Sequence, residues 1–166
     1  MPEKDVIERA HQDAREGKSP STQAGEFVHE EIEHIRQGKH GAKSAKQAIA
    51  IGLSKARRAG VKLPPPGAGI SRQTRRKAAR ATAVGQGHGR GHVSRKRSRA
   101  TTQVLKRQGR SAASKASLSK QASTAARKRG AAARSAAARR AVRTKGARKR
   151  SRAAKKAART RASRSR

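Results

Sequence analysis

Apolar residues recur at helical spacing through the first sixty positions of the chain and then almost cease. The pattern predicts a first helix from about Asp5 to Glu16, with Asp5 and Glu8 placed as a capping box and Gly17 as the stop. A second is predicted from Ser19-Pro20, a cap followed by a first-turn proline, to just before Gly38. Projected on a helical wheel, its residues Ala24, Phe27, Val28, Ile32 and Ile35 form one stripe. Glu26, Glu30 and Glu33 fall opposite, so the helix is expected to have a buried side and an acidic side. The third lies in QAIAIGLSKARRAG, Gln47–Gly60, and opens on a capping box of Ser44 and Gln47. Its stripe, Ala45, Ile49, Gly52, Leu53, Ala56 and Ala59, is written to dock on the Phe27–Ile35 stripe. Lys46, Lys55, Arg57 and Arg58 fall outside it, and Ile51 sits among those bases as a single exposed aliphatic or a second contact.

Beyond Ile70 the only aliphatic residues larger than alanine are Val84, Val93, Val104, Leu105, Leu118 and Val142. Leu, Ile, Val and Phe together number 18 of 166 residues. That falls below the ~20% under which a highly charged chain is expected to stay disordered. The expected fold class is therefore a small all-α N-terminal head of two to three short helices, followed by a long disordered basic tail. The head occupies residues 1–63, a Pro/Gly spacer 64–70, and an Ala/Arg/Lys/Ser-rich polycationic tail 71–166. Tail segments such as AARKRGAAARSAAARRAV are expected to turn helical only on a polyanion, interrupted at Gly109, Gly130 and Gly146. GQGHGRGH, Gly85–His92, reads as a loop.

Charge sharpens the boundary. The formal net charge is +36, yet the first 33 residues hold all nine acids against four bases and carry −5. The other 133 residues hold 41 bases and no acid. Such a chain repels itself and is drawn to polyanions. The candidate phosphate ligands are Arg75, Arg76, Lys77 and Arg80; Arg95, Lys96, Arg97 and Arg99; Arg127, Lys128 and Arg129; Arg139 and Arg140; Arg148, Lys149 and Arg150; and Lys155 and Lys156. In the head, Phe27, Val28, Ile32, Ile35, Ile49, Leu53 and Ala56 are the candidates for packing or partner contact.

No catalytic constellation is expected, and no cofactor or metal. HEEIEH, His29–His34, fails as a zinc-protease motif because its second histidine stands at i+5, off the face of the first. His88 and His92 lie in a Gly-rich stretch that reads as solvated linker, and GQGHGRG lacks the strand and Lys-Ser/Thr of a phosphate loop. Without cysteine there is no disulfide or thiolate site, and no apolar run reaches the ~20 residues of a membrane span. The first residues carry no apolar signal-peptide core, so a cytoplasmic, nucleoid-associated protein with no membrane partner is expected. The chain has no Tyr or Trp and a single Phe, so it lacks the aromatic platforms on which single-strand and RNA modules stack bases. What remains is counterion-release binding to the phosphate backbone with little base readout.

The segment KSAKQAIAIGLSKARRAGVKLP, Lys43–Pro64, resembles a block in a family of small, uncharacterised basic bacterial proteins, sometimes labelled DNA-binding. There it reads S/T-x-K-Q-A-I-A-I-x-L-S-x-A-R-x-A-G. Here Lys46, Gln47, Ala48, Ile49, Ala50, Ile51, Leu53, Ser54, Ala56, Arg57, Ala59 and Gly60 match it. The resemblance implies a bacterial origin and carries no established activity. Residues 71–166 resemble in composition the basic tails of linker histones and bacterial histone-like proteins. Together these readings lead to a histone-like protein that binds and compacts duplex DNA without sequence preference, with a homodimer through the head helices as a further expectation. RNA or ribosome association is the second reading. The third is a protein-interaction module whose tail only localises it.

Overall fold

The structure, a computed structural model, describes residues 2–67, 69–88 and 94–164, leaving out the side chains of 141, 144–150, 153 and 164. The three predicted helices form: α1 (Lys4–Arg15), α2 (Pro20–Arg36) and α3 (Ala45–Arg58). Ser44 caps α3, its Oγ accepting from Gln47 N at 3.2 Å, while Gln47 Oε1 accepts from Lys43 N at 2.9 Å. The cap of α2 is Ser19 followed by Pro20, as predicted, although the Ser19 hydroxyl turns to Ser21 and Thr22 instead of the helix backbone. α1 starts from Glu3 with no side-chain cap, so the Asp5–Glu8 box does not form.

Four further helical segments follow where a disordered tail was expected. They are α4 (Arg72–Gly85), α5 (Arg95–Lys106), α6 (Lys115–Lys128) and α7 (Gly130–Arg164), with a 3₁₀ turn at Ser111–Ala113. The expectation fails because scarcity of large apolar residues limits core formation, not local helix formation. Of the 35 residues of α7, 27 are Ala, Arg or Lys, the strong helix formers, and that propensity prevails over like-charge repulsion along the helix. Gly146 lies within α7 and does not interrupt it, whereas Gly109 falls in the turn after α5 and Gly130 opens α7. Of the expected loop 85–92, Gly85 ends α4 and residues 89–92 lie outside the described residues.

Two compact units result, residues 1–121 and 122–166. In the first, α2 packs between α1 and α3, α3 also packs on α4, and the 3₁₀ turn seats against α2 and α3. Phe27 centres one apolar cluster with Val6, Ala10, Ala24, Ala56 and Val61, flanked by Ile7, Leu53, Ala59 and Leu63. A second cluster joins Ile35, Ala42 and Ala48 to Ala112 and Ala113, so the segment after α5 helps to build the core. Its alanine methyls are small enough to lie against backbone. Glycine permits close backbone approaches at two points of this packing. A Cβ at Gly52 would stand 2.7 Å from Val28 Cα, so α2 and α3 meet at bare backbone. A Cβ at Gly41 would overlap the carbonyl of Gln108, where Gly41 N donates to Leu105 O at 2.9 Å and Ala42 N to Gly109 O at 3.2 Å. The Pro/Gly segment is held at both ends, by Arg57 donating to Pro64 O at 3.0 Å and Arg75 to Ile70 O at 3.1 Å. The second unit contains the end of α6 and α7, whose residues 131–140 are all exposed.

Candidate nucleic-acid interface

α4 is set by its two faces. Ser71 caps it, Oγ accepting from Thr74 N at 3.2 Å, and Ala81 is its buried residue on the side turned to α3. Arg72 and Arg76 project opposite Ala81 on the helical wheel, flanked by Arg75 and Arg80, and all four are exposed, as is Lys77. α5 buries nothing, and Arg95, Lys96, Arg97 and Arg99 are all exposed in its first half. In the second unit Arg127, Lys128 and Arg129 are exposed where α6 gives way to α7. Along α7, Arg139, Arg140, Lys155 and Lys156 are exposed, while Arg148, Lys149 and Arg150 fall among the side chains outside the description. At ~1.5 Å rise per residue α7 is a rod of about 50 Å with cations on every side.

The head candidates occupy the packed interior to different degrees. Phe27, Ile35 and Ala56 are buried; Val28, Ile32, Ile49 and Leu53 are half-buried, and so is Ile51. One expectation about α2 is corrected. Glu30, assigned to the acidic outer face, is buried together with its neighbour Glu31. Both meet Lys55, which was placed outside the docking stripe of α3: Nζ stands 3.1 Å from Glu30 Oε2 and 2.8 Å from Glu31 Oε2. Burial works against the Lys55 charge, but Glu31 and then Glu30 outweigh it and hold the ammonium above the ordinary lysine range. Glu30 Oε1 also accepts from Glu3 N at 2.6 Å. His34 and Lys39 hold the exposed Glu3 carboxyl below the usual carboxylate range, at 3.0 and 3.2 Å from its Oε1. The wheel missed this arrangement because it placed Glu30 on the outer face, and the lysine that meets Glu30 and Glu31 comes from another helix.

The ion pairs of the head draw their carboxylates from the stretch Glu3–Glu33 and their bases from the stretch Arg9–Lys55. The charge system of the head is thus internal, and the arginines of α4, α5 and α7 have no acidic side chain in the sequence after Glu33 to neutralise them. Two groups in the head also offer metal-type donors, Glu31–His34–His40 and Glu3–Glu30–His34, with ligand atoms inside 4.8 Å of one another. His29, the first histidine of HEEIEH, belongs to neither. No helix among the described residues is long and apolar enough to cross a membrane. No curated protein and no solved structure matches the chain. Residues 17–66, which contain α2, α3 and the Lys43–Pro64 block, are similar to a family of unknown function (DUF6496).

Proposed function

We propose that the protein binds duplex DNA without sequence preference, setting helix-borne arginines and lysines against the phosphate backbone. The observation that carries this reading is the separation of charge. Seven of the nine acids are ion-paired within the head, while α4, α5 and α7 present exposed cations from a stretch of sequence that has no acid. A helix of Ala and Arg fixes its cations at regular intervals, which reduces the ordering cost of phosphate contact relative to a flexible chain. Duplex is favoured over single strands because Phe27, the lone Phe in a chain without Tyr or Trp, is fully buried and cannot stack on a base. Each compact unit carries its own cationic helices, so one chain has two phosphate-binding segments, as compaction requires.

The test is binding of the full chain to labelled duplexes of unrelated sequence, over a range of salt, with RNA as competitor. Engagement of 6–10 phosphates gives a fall in affinity of roughly 10³–10⁵ between about 50 and 200 mM salt. Replacing Arg127, Lys128 and Arg129 together by Gln should lower the salt slope by about 0.9 for each phosphate that is no longer neutralised, equally for every duplex. Preferential displacement by RNA would transfer the reading to an RNA-associated protein. Absence of duplex affinity at low salt would overturn it in favour of a protein-interaction module.

A further inference from the structure

The Glu31 carboxylate is fully buried, and neither of its oxygens has a hydrogen-bond partner. Two cationic or basic groups stand close without hydrogen-bond geometry: Lys55 Nζ at 2.8 Å from Oε2 and His40 Nε2 at 3.3 Å from Oε1. The His40 contact is informative. His40 Nδ1 lies 3.2 Å from the carbonyl oxygen of Gly41, and a carbonyl only accepts, so Nδ1 carries the proton. In the neutral imidazole the lone pair is then on Nε2, facing the carboxylate oxygen. Two acceptors face one another across a gap that only a cation or a second imidazole proton can fill.

His34 completes the arrangement one helical turn from Glu31. Its Nε2 is 3.0 Å from Glu3 Oε1 and donates to it, leaving the lone pair on the other ring nitrogen. A carboxylate behind a histidine in this way fixes the tautomer and the orientation of the ring, as in carboxylate–histidine–metal arrangements. The side chains of His34 and His40 are 12% and 17% exposed, so both rings are mostly covered yet reached by solvent. An open cleft of about 160 Å³, lined by Glu3, Glu30, His34 and Lys39, borders the cluster. Glu3, Glu30 and Glu31 bring three carboxylates to this region, met by the ammoniums of Lys39 and Lys55, within a chain of +36.

We infer that Glu31, His34 and His40 bind a divalent first-row transition ion, with Zn²⁺ the natural probe. Two imidazoles and one carboxylate suit Zn²⁺ and exclude a preference for Mg²⁺ or Ca²⁺, which favour oxygen donors. The second donor group, Glu3–Glu30–His34, is already engaged, since Glu30 accepts from Glu3 N and Lys55 and Glu3 from His34 and Lys39. Bound at Glu31, the ion would clamp the end of α2 to His40, whose next two residues hold the segment after α5 through Leu105 O and Gly109 O. The site therefore acts as a staple of the first unit, independent of nucleic acid.

Calorimetric titration of the full, metal-stripped chain with ZnCl₂ tests this, with the Co²⁺ visible spectrum as a second readout. One ion per chain is expected, with imidazole-type Co²⁺ bands. His34→Gln and His40→Gln should each weaken binding by at least ~10-fold, and His29→Gln should leave it unchanged. Circular dichroism of each variant in chelator separates loss of a ligand from loss of the fold. Binding that survives both His34→Gln and His40→Gln, or no stoichiometric binding, overturns the site. So does nitrogen NMR showing both ring nitrogens of His40 protonated in the metal-free chain and unmoved by Zn²⁺, because a proton then fills the gap.

Discussion

Replacing Lys55 by Met removes the one ammonium that meets both buried carboxylates of α2. At 2.8 Å from Glu31 and 3.1 Å from Glu30, and at an effective dielectric of ~20, each attraction is about 5–6 kcal/mol before desolvation. Most of that is spent on taking three charges out of water. What the variant loses is governed instead by what it leaves behind, two buried carboxylates with no compensating cation, and breaking a buried pair in this way costs ~3–5 kcal/mol. Against the ~5–15 kcal/mol of a typical domain, this removes much of the stability at the lower end of the range. The assay is urea denaturation in the presence of chelator, followed by NMR of the Phe27 ring. Phe27 is the only aromatic residue besides histidine and sits fully buried in the core of that unit, so its signals report this unit and not α7. Lys55→Met/Glu31→Gln should recover part of the loss, since it removes the more deeply buried of the two stranded charges and leaves Glu30, which still accepts from Glu3 N. A loss below about 1 kcal/mol for Lys55→Met, with no recovery in the double variant, would refute the buried-triad account.

Gly52→Ala should cost ~1–3 kcal/mol in the same assay, because its methyl must push against the backbone of Val28, which cannot rotate away. Gly41→Ala should loosen residues 105–113 selectively, read as faster amide exchange at Gly41 and Ala42, whose N–H groups bond to that segment. Circular dichroism of the full chain without DNA should show well over half of its residues helical, against about a quarter if only α1–α3 formed, and added salt should raise the signal by screening like charges along α7. Glu16 is held below its ordinary value of 4.5 by Lys18 and Gln12, so its contribution is present above that value and lost as pH falls through the lowered one. Glu16→Gln should therefore flatten the acid limb of stability slightly, and moderate salt should erase the difference, since the group is exposed.

The head was legible because its signals are local and agree with one another. A cap at Ser44, a proline after Ser19 and apolar residues on one face identify α2 and α3 almost to the residue. The buried polar cluster was not legible, since a wheel assigns Glu30, Glu31 and Lys55 one helix at a time and their meeting depends on how α2 and α3 cross. His40 is harder still, standing on the loop after α2, where no periodicity links it to Glu31. In HEEIEH the useful spacing is Glu31 to His34, not histidine to histidine. The helices after Ile70 were missed for a different reason. Apolar content measures whether a segment can bury itself, and α5 and α7 bury almost nothing. They rest on propensity, a signal that is weak per residue but sums over the length of α7.

The two charge systems of the chain serve opposite requirements. The proposed function requires a polycation that does not neutralise its own bases, and a fold at +36 must still hold together. Confining the nine acids to the first 33 residues meets the first requirement, because no acidic side chain follows Glu33 to compete with phosphate. The second is met with few ion pairs at the critical joints. Residues 105–113 are fixed by the N–H groups of Gly41 and Ala42, by Arg36 donating to Ala113 O at 3.1 Å, and by the methyls of Ala112 and Ala113 against Ile35 and Ala48. Apart from the one donated by Arg36, each of these contacts joins neutral backbone groups or apolar side chains, so neither salt nor a polyanion competes for it strongly. The buried Lys55–Glu31 contact is likewise shielded from screening. On the proposed function, the outer arginines of the first unit would exchange their counterions for phosphate while the interactions that shape the unit stay in place.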